Sequence, residues 1–252
     1  MYYKHGKTTI YYEKQGNKKR NIVILPGWGN TRNTFQNMIN NLKEDFTIYC
    51  IDYPGFGNSP PFQKEKTIYD YAEIIKGFLE NFSITNPIII AHSFGGRITA
   101  ILQGKYNIPI QKIILIDVAG IKRHKSIKLW LKEIIYKILK KGTQILHNKK
   151  LEEKLRTTFS SSDYKELSPN MRKTFQNIIQ EDLSSYYKKT TSDVLILWGE
   201  HDQDTPLKDA YYLNKNIKNS ALIIFPKAGH FAYLDYPFLT NKILDSYLKK
   251  ED

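Results

Sequence analysis

Residues 87–96 read Pro-Ile-Ile-Ile-Ala-His-Ser-Phe-Gly-Gly, an apolar run that breaks into a serine set among small residues. The run predicts a buried strand, and residues 94–106 behind it have helical spacing. The serine therefore stands where a strand turns sharply into a helix. Such a turn admits only small side chains two places before and two places after, and Ala91 and Gly95 fill those places. The pattern reads as a nucleophile elbow, which lifts a serine hydroxyl above the sheet. An ordinary turn shows the same small residues, so the rest of the chain has to decide.

Strand and helix patterns alternate on both sides of that turn. Residues 2–15 pattern as a hairpin with Gly6-Lys7 at its tip. Short apolar runs at 21–25, 46–51, 87–91, 112–118, 193–198 and 221–225 predict strands. Residues 33–42, 68–82, 94–106, 207–216 and 238–249 have helical spacing. This alternation predicts an α/β fold, a doubly wound and mostly parallel sheet with helices on both faces. From 121 to 190 the strand pattern stops. Residues 126–141, 151–159 and 169–183 pattern as helices, the last with Ser168 as N-cap and Pro169 at its first position. The expected division is a core of residues 1–120 and 191–252, with a helical cap inserted at 121–190.

Composition narrows the class. A chain of 252 residues, 41% hydrophobic, can bury a core and does not have a disordered composition. No run of eighteen apolar residues is present, which argues against a membrane span. The start, Met1-Tyr2-Tyr3-Lys4-His5-Gly6-Lys7, lacks the apolar stretch of a secretory signal. Cys50 is the only cysteine and lies in an apolar run, where it reads as a small buried hydrophobe. These features point to a cytoplasmic protein. The formal charge of +13 raises the question of a polyanion partner, but only six of the 38 basic residues are arginine. No recognition motif accompanies the charge, so nucleic acid is not an expected partner. Residues 121–156 alone carry twelve Lys and Arg against three acids. That segment reads first as a solvated helix face, and second as a weak contact for an anionic surface or an acidic substrate.

A serine hydroxyl needs a base, and the base needs an orienting acid. Of the six histidines, His5 lies in the hairpin, while His124 and His147 lie in the basic insert. His92 adjoins Ser93 with its side chain expected to point away, and His201 precedes an acidic loop. His230 follows the last predicted strand directly, where a doubly wound sheet collects its ligands. A structural histidine fits the same place. The acid is sought in Gly199-Glu200-His201-Asp202-Gln203-Asp204-Thr205-Pro206, with Asp202 first and Asp204 its rival; Asp117, at the end of the predicted strand 112–118, is a second rival. The His201, Asp202 and Asp204 cluster lacks the spacing of a metal site.

With these residues in place, the chain resembles the serine hydrolases of the α/β-hydrolase fold. Ser93, Asp202 and His230 follow that family's nucleophile–acid–histidine order. Gly199-x-x-Asp202-x-x-x-Pro206 resembles its acid loop and Gly229-His230 its histidine loop. Asp52-Tyr53-Pro54-Gly55-Phe56-Gly57-Asn58-Ser59 resembles a turn after another core strand. The likeness covers residues 21–120 and 191–250 and leaves out the insert. It implies a Ser93–His230–Asp202 triad acting on a small-molecule carboxylic ester of small or medium acyl length, with no cofactor and no metal. It also implies an oxyanion hole from the backbone N–H groups of Trp28 and Phe94. Pro26 stands where the family usually has histidine, two residues before the first of these donors. The side chains of Trp28 and Phe94 either wall the acyl pocket or belong to the core. Thioesters, the C–C bond of a β-diketone and N-terminal peptide bonds are open to the same triad, and a ligand sensor retaining the fold is the competing class.

Overall fold

The computed structural model describes residues 1–122 and 167–249. The described strands form a single sheet. β1 (Tyr2–His5) and β2 (Thr8–Gln15) make the expected hairpin around Gly6, and β2 pairs antiparallel with β4 (Thr47–Asp52). β3 (Asn21–Leu25), β4, β5 (Ile88–His92), β6 (Lys112–Ile116), β7 (Asp193–Gly199) and β8 (Ser220–Phe225) run parallel. The spatial order is β1-β2-β4-β3-β5-β6-β7-β8. The parallel part starts at β3, adds β4 on one side, then crosses to add β5 and the rest on the other. The winding reverses between β3 and β5, which opens a crevice beyond their C-terminal ends.

Parallel strands are buried on both faces, and their side chains alternate between two cores. Along β5, Ile88 and Ile90 enter one core while Ile89 and Ala91 enter the other; along β7, Leu195 and Leu197 part from Val194, Ile196 and Trp198 in the same way. The helices are α1 (Gln36–Leu42), α2 (Ile68–Asn81), α3 (Phe94–Gly104), α4 (Pro169–Gln180), α5 (Ser184–Tyr187), α6 (Leu207–Asn216), α7 (Ala232–Asp235) and α8 (Pro237–Leu248). α1 and α8 cover the first core, and α2, α3 and α6 cover the second. No helix among the described residues is long and apolar enough to cross a membrane.

Three boundaries differ from the sequence pattern, each for a local reason. The helix expected from residue 33 opens as a 3-10 turn, Arg32–Phe35, before α1 begins. The strand expected to reach 118 stops at Ile116, because Asp117 takes φ +47° and leaves the extended region. The helix expected over 169–183 divides into α4 and α5. There the buried Arg97 guanidinium of α3 donates to the carbonyls of Ile178 (3.0 Å) and Glu181 (3.2 Å), and Asp182 accepts the Ser184 amide at 3.0 Å to start α5.

The insert helices expected at 126–141 and 151–159 lie outside the described residues. In the described part Ser168 caps α4, its hydroxyl oxygen accepting from the Met171 amide. Met171, Ile178, Leu183 and Tyr187 join the core on the α2–α3 side. The Leu183 amide donates to the Gly120 carbonyl at 2.8 Å, and the Tyr187 hydroxyl to the Ala119 carbonyl at 2.8 Å. The described end of the insert is thus fastened where the segment leaves the sheet.

Candidate active site

Ser93 occupies the β5-to-α3 turn with φ 46° and ψ −107°, a backbone conformation that non-glycine residues rarely adopt. Neighbouring chain holds it there: the Ser93 amide donates to Ile116 (3.1 Å), and the Ser93 carbonyl accepts from Gly96 (3.1 Å) and Ala119 (3.0 Å). Gly95 is a glycine of necessity, since a Cβ there would drive into the Leu25 carbonyl of β3. Ala91, two places before Ser93, lies in β5 opposite Leu25 with its methyl buried.

His230 sits in the loop between β8 and α7. Its Nε2 lies 3.0 Å from Ser93 Oγ and its Nδ1 lies 2.8 Å from Asp202 Oδ2. An ionised carboxylate only accepts, so Nδ1 carries the proton and Nε2 offers its lone pair to the serine hydroxyl. Burial pushes the Asp202 carboxyl up, but hydrogen bonds from His230 and Thr205 outweigh it and hold the group below the usual carboxylate value. Burial likewise lowers His230, and the bond to and charge of Asp202, helped by Asp117 and Asp204, raise it above the ordinary histidine value.

The Asp202 carboxylate is saturated. Oδ1 accepts the amides of Asp204 (2.8 Å) and Thr205 (2.9 Å), and Oδ2 accepts the Thr205 hydroxyl (2.5 Å) as well as His230. Asp202, Asp204 and His230 bring ligand-type atoms within 4.8 Å of one another. With the lone pairs of Asp202 already taken, that group is built for hydrogen bonding and not for holding a cation.

The rival acid Asp117 lies nearby in a different role. Its Oδ1 accepts the Gly199 amide (2.7 Å), its Oδ2 accepts the Ala232 amide (3.2 Å), and its carbonyl lies 3.0 Å from the Thr205 hydroxyl. It thereby ties the start of the acid loop to the residues just after His230. Burial, with the Asp202 charge adding to it, pushes the Asp117 carboxyl up to about 7 against the pull of the two amides. The other histidines are elsewhere. His5 pairs with the Tyr3 hydroxyl, and the exposed His201 is 3.8 Å from Glu200. His124 and His147 lie outside the described residues. Sequence reasoning passed over Thr205, although an aspartate with threonine three places on is a local turn signal. It set His92 aside as the base and gave it no other part; its Nε2 lies 2.8 Å from the His230 main-chain oxygen.

The turn after β3 approaches the same point. Asn30 closes it, its backbone N–H donating a hydrogen bond to the Gly27 carbonyl (3.1 Å), and Gly29 takes φ +79°. Phe94 is the first residue of α3, where amides lack intrahelical partners and the helix dipole favours negative charge. The Phe94 ring is buried against Tyr53 and Tyr71. The Trp28 indole is only partly buried, with Phe56 at 4.9 Å, Phe94 at 5.3 Å and Phe175 of α4 at 5.1 Å between ring centroids. The Asp52–Ser59 turn supports this wall from below. Asp52 accepts the Asn58 amide (3.0 Å), and the Ser59 hydroxyl donates to the Asp52 carbonyl (2.5 Å) and accepts the Tyr11 amide (2.7 Å).

Residues 20–237 match the family model described as alpha/beta hydrolase fold. A Bacillus subtilis protein named uncharacterized hydrolase YugF is 26% identical over 95% of this chain and 94% of its own length. The pimeloyl-[acyl-carrier protein] methyl ester esterase of Wigglesworthia glossinidia brevipalpis is 27% identical over 93% of this chain and 96% of its own. Among solved structures, the esterase of Exiguobacterium antarcticum superposes with a TM-score of 0.74 at 25% identity, covering 96% of each chain.

Proposed function

The chain belongs to the alpha/beta hydrolase fold family, and from that premise we propose that it hydrolyses carboxylic esters of small or medium acyl length through an acyl-enzyme on Ser93. One observation carries the reading: Ser93 Oγ, His230 Nε2, His230 Nδ1 and Asp202 Oδ2 form a continuous chain of contacts at 3.0 and 2.8 Å. The two relatives named as esterases support an ester as the bond cleaved.

As Ser93 Oγ attacks the ester carbonyl, His230 Nε2 takes its proton, and the carbonyl oxygen becomes an oxyanion. The backbone N–H groups of Trp28 and Phe94 receive that charge, and losing one such donor costs on the order of 3 kcal/mol in the barrier. Collapse of the tetrahedral species breaks the C–O bond, and the leaving alcohol takes the proton from His230. Water then gives a proton to Nε2 and attacks the acyl-serine, releasing the acid and restoring the hydroxyl. Asp202 stays ionised throughout, fixing the imidazole tautomer and offsetting its transient charge. Trp28 and Phe175 offer the acyl group an apolar wall.

The test is a series of nitrophenyl esters of rising chain length, run beside thioester and aminoacyl substrates, with fluorophosphonate labelling of the folded protein. Ester turnover and a Ser93 adduct, both abolished in Ser93→Ala, are the expected result. Folded protein that gives no adduct at Ser93 would overturn the hydrolytic reading in favour of a ligand sensor. Preferential turnover of the thioester or aminoacyl substrates would move the assignment to that bond.

A further inference from the structure

We propose that His92 is a positioning residue, whose imidazole tethers the backbone of His230 to the nucleophile strand and so sets the Ser93–His230 distance. The proposal rests on the hydrolytic reading of Ser93 given above.

His92 is the last residue of β5, and its ring lies 4.9 Å from the His230 ring between centroids. It is fully buried, with the rings of Phe231 at 5.0 Å, Tyr233 at 5.2 Å and Phe35 at 6.5 Å. Its Nε2 lies 2.8 Å from the main-chain oxygen of His230. A carbonyl oxygen only accepts, so Nε2 carries the hydrogen and Nδ1 is left as a bare acceptor. Among the described residues, Nδ1 has no hydrogen-bond partner. It faces the turn after β3: a Cβ on Gly27 would sit 2.7 Å from both His92 Nδ1 and Asn30 Nδ2. One ring thus touches the nucleophile strand, the histidine loop and the turn that presents Trp28. Burial, with the neighbouring His230 adding to it, pushes the His92 pKa down to about 3. The ring is neutral at working pH and does not compete with His230 for the serine proton.

A filler would not be built this way. Leaving a buried polar atom unpaired costs about 1–3 kcal/mol, and Nδ1 is such an atom; a leucine in the same aromatic pocket would remove it, while leaving the His230 oxygen without the His92 N–H. A buried imidazole whose bond and unpaired nitrogen offset each other in stability points to a gain elsewhere. Here the gain is geometric, because displacing a catalytic group by about 1 Å can cost about 10²-fold in rate.

The experiment compares wild type with His92→Leu and His92→Gln by thermal midpoint, by kcat and KM on a nitrophenyl ester, and by the rate of fluorophosphonate labelling at Ser93. Leucine removes both nitrogens, whereas the glutamine amide nitrogen stands as many bonds from Cβ as Nε2 does. H92L is expected to change the thermal midpoint little, because loss of the bond to the His230 oxygen offsets removal of the unpaired Nδ1, while kcat and labelling rate fall about 100-fold at nearly unchanged KM. H92Q is expected to recover most of the loss. Folded H92L with near-wild-type kcat and labelling would overturn the tether, as would folded H92Q that is as slow as H92L. If H92L does not fold, H92Q decides alone: fast labelling supports the tether and slow labelling overturns it. Wild-type protein that labels but cleaves no ester still tests the tether by labelling rate. Wild-type protein that does not label at Ser93 removes the hydrolytic reading and this proposal together.

Discussion

Ser93 holds a strained backbone so that its hydroxyl can stand clear of the sheet, at a cost of about 1–3 kcal/mol for such a conformation. The strain is affordable only because Gly95 lets α3 start hard against β3. Gly95→Ala is expected to abolish soluble folded protein, or to destabilise it by at least about 4 kcal/mol in urea, because its Cβ meets the Leu25 carbonyl. Normal stability in that variant would refute the close approach. His230 is set by the charge beside it. The base must be unprotonated to act, and Asp202 holds the His230 pKa above its ordinary value, so kcat/KM should rise with pH through a midpoint above about 6.5. Asp202→Asn should lower kcat by about 10⁴. It should also move that midpoint to lower pH, since the neutral amide no longer favours the imidazolium. A limb that stays in place would show that another group titrates.

At the scale of elements, one arginine decides how α4 ends and where its face points. Arg97→Met removes the donors to the Ile178 and Glu181 carbonyls and should cost about 2–4 kcal/mol, read as a lowered urea midpoint. Phe175 of α4 leans on Trp28, so KM for longer acyl esters should rise more than kcat falls. Unchanged stability and KM would mean that α4 is held by its other contacts alone, such as the Lys66 amide on the Thr174 hydroxyl. Which elements were legible from sequence follows from the same physics. β3 to β7 are runs such as Ile88–Ile90, buried on both faces, and no tertiary contact overrides their pattern. The ends were less legible, because Arg97 cuts short the 169–183 helix from another element and Asp117 turns the chain out of β6 through a positive φ. Ser93, Asp202 and His230 each stand just past a strand, a local fact that spacing reveals. The supports were hidden. Asp117 reaches Gly199 across 82 residues, Thr205 reaches Asp117 across 88, and His92 reaches His230 across 138, distances that no local pattern spans.

For the whole molecule, the buried Asp117 makes stability depend on pH in an unusual direction. Its folded pKa of about 7 lies above the ordinary carboxylate value, so the folded state holds a proton that the unfolded chain has released. Its contribution is fully present below about pH 4 and is lost as pH rises toward about 7. Asp202, shifted the other way, contributes above about pH 4 and loses that contribution as pH falls through its depressed value. Asp117→Asn should therefore gain stability relative to wild type between about pH 4.5 and 7.5, measured by urea midpoints at both ends. Parallel shifts in the two proteins would rule Asp117 out as the titrating group. The hydrogen bond between Leu183 and Gly120 has a broader consequence. It makes residues 121–182 a closed excursion that departs from and returns to one point on the scaffold. The length of such an excursion adds closure entropy only logarithmically, and none of the three proposed reacting side chains belongs to it. On the proposed hydrolytic reading, acyl transfer and the choice of acyl group become separable: exchanging the excursion is expected to redirect which esters are turned over while turnover of the smallest ester stays the same.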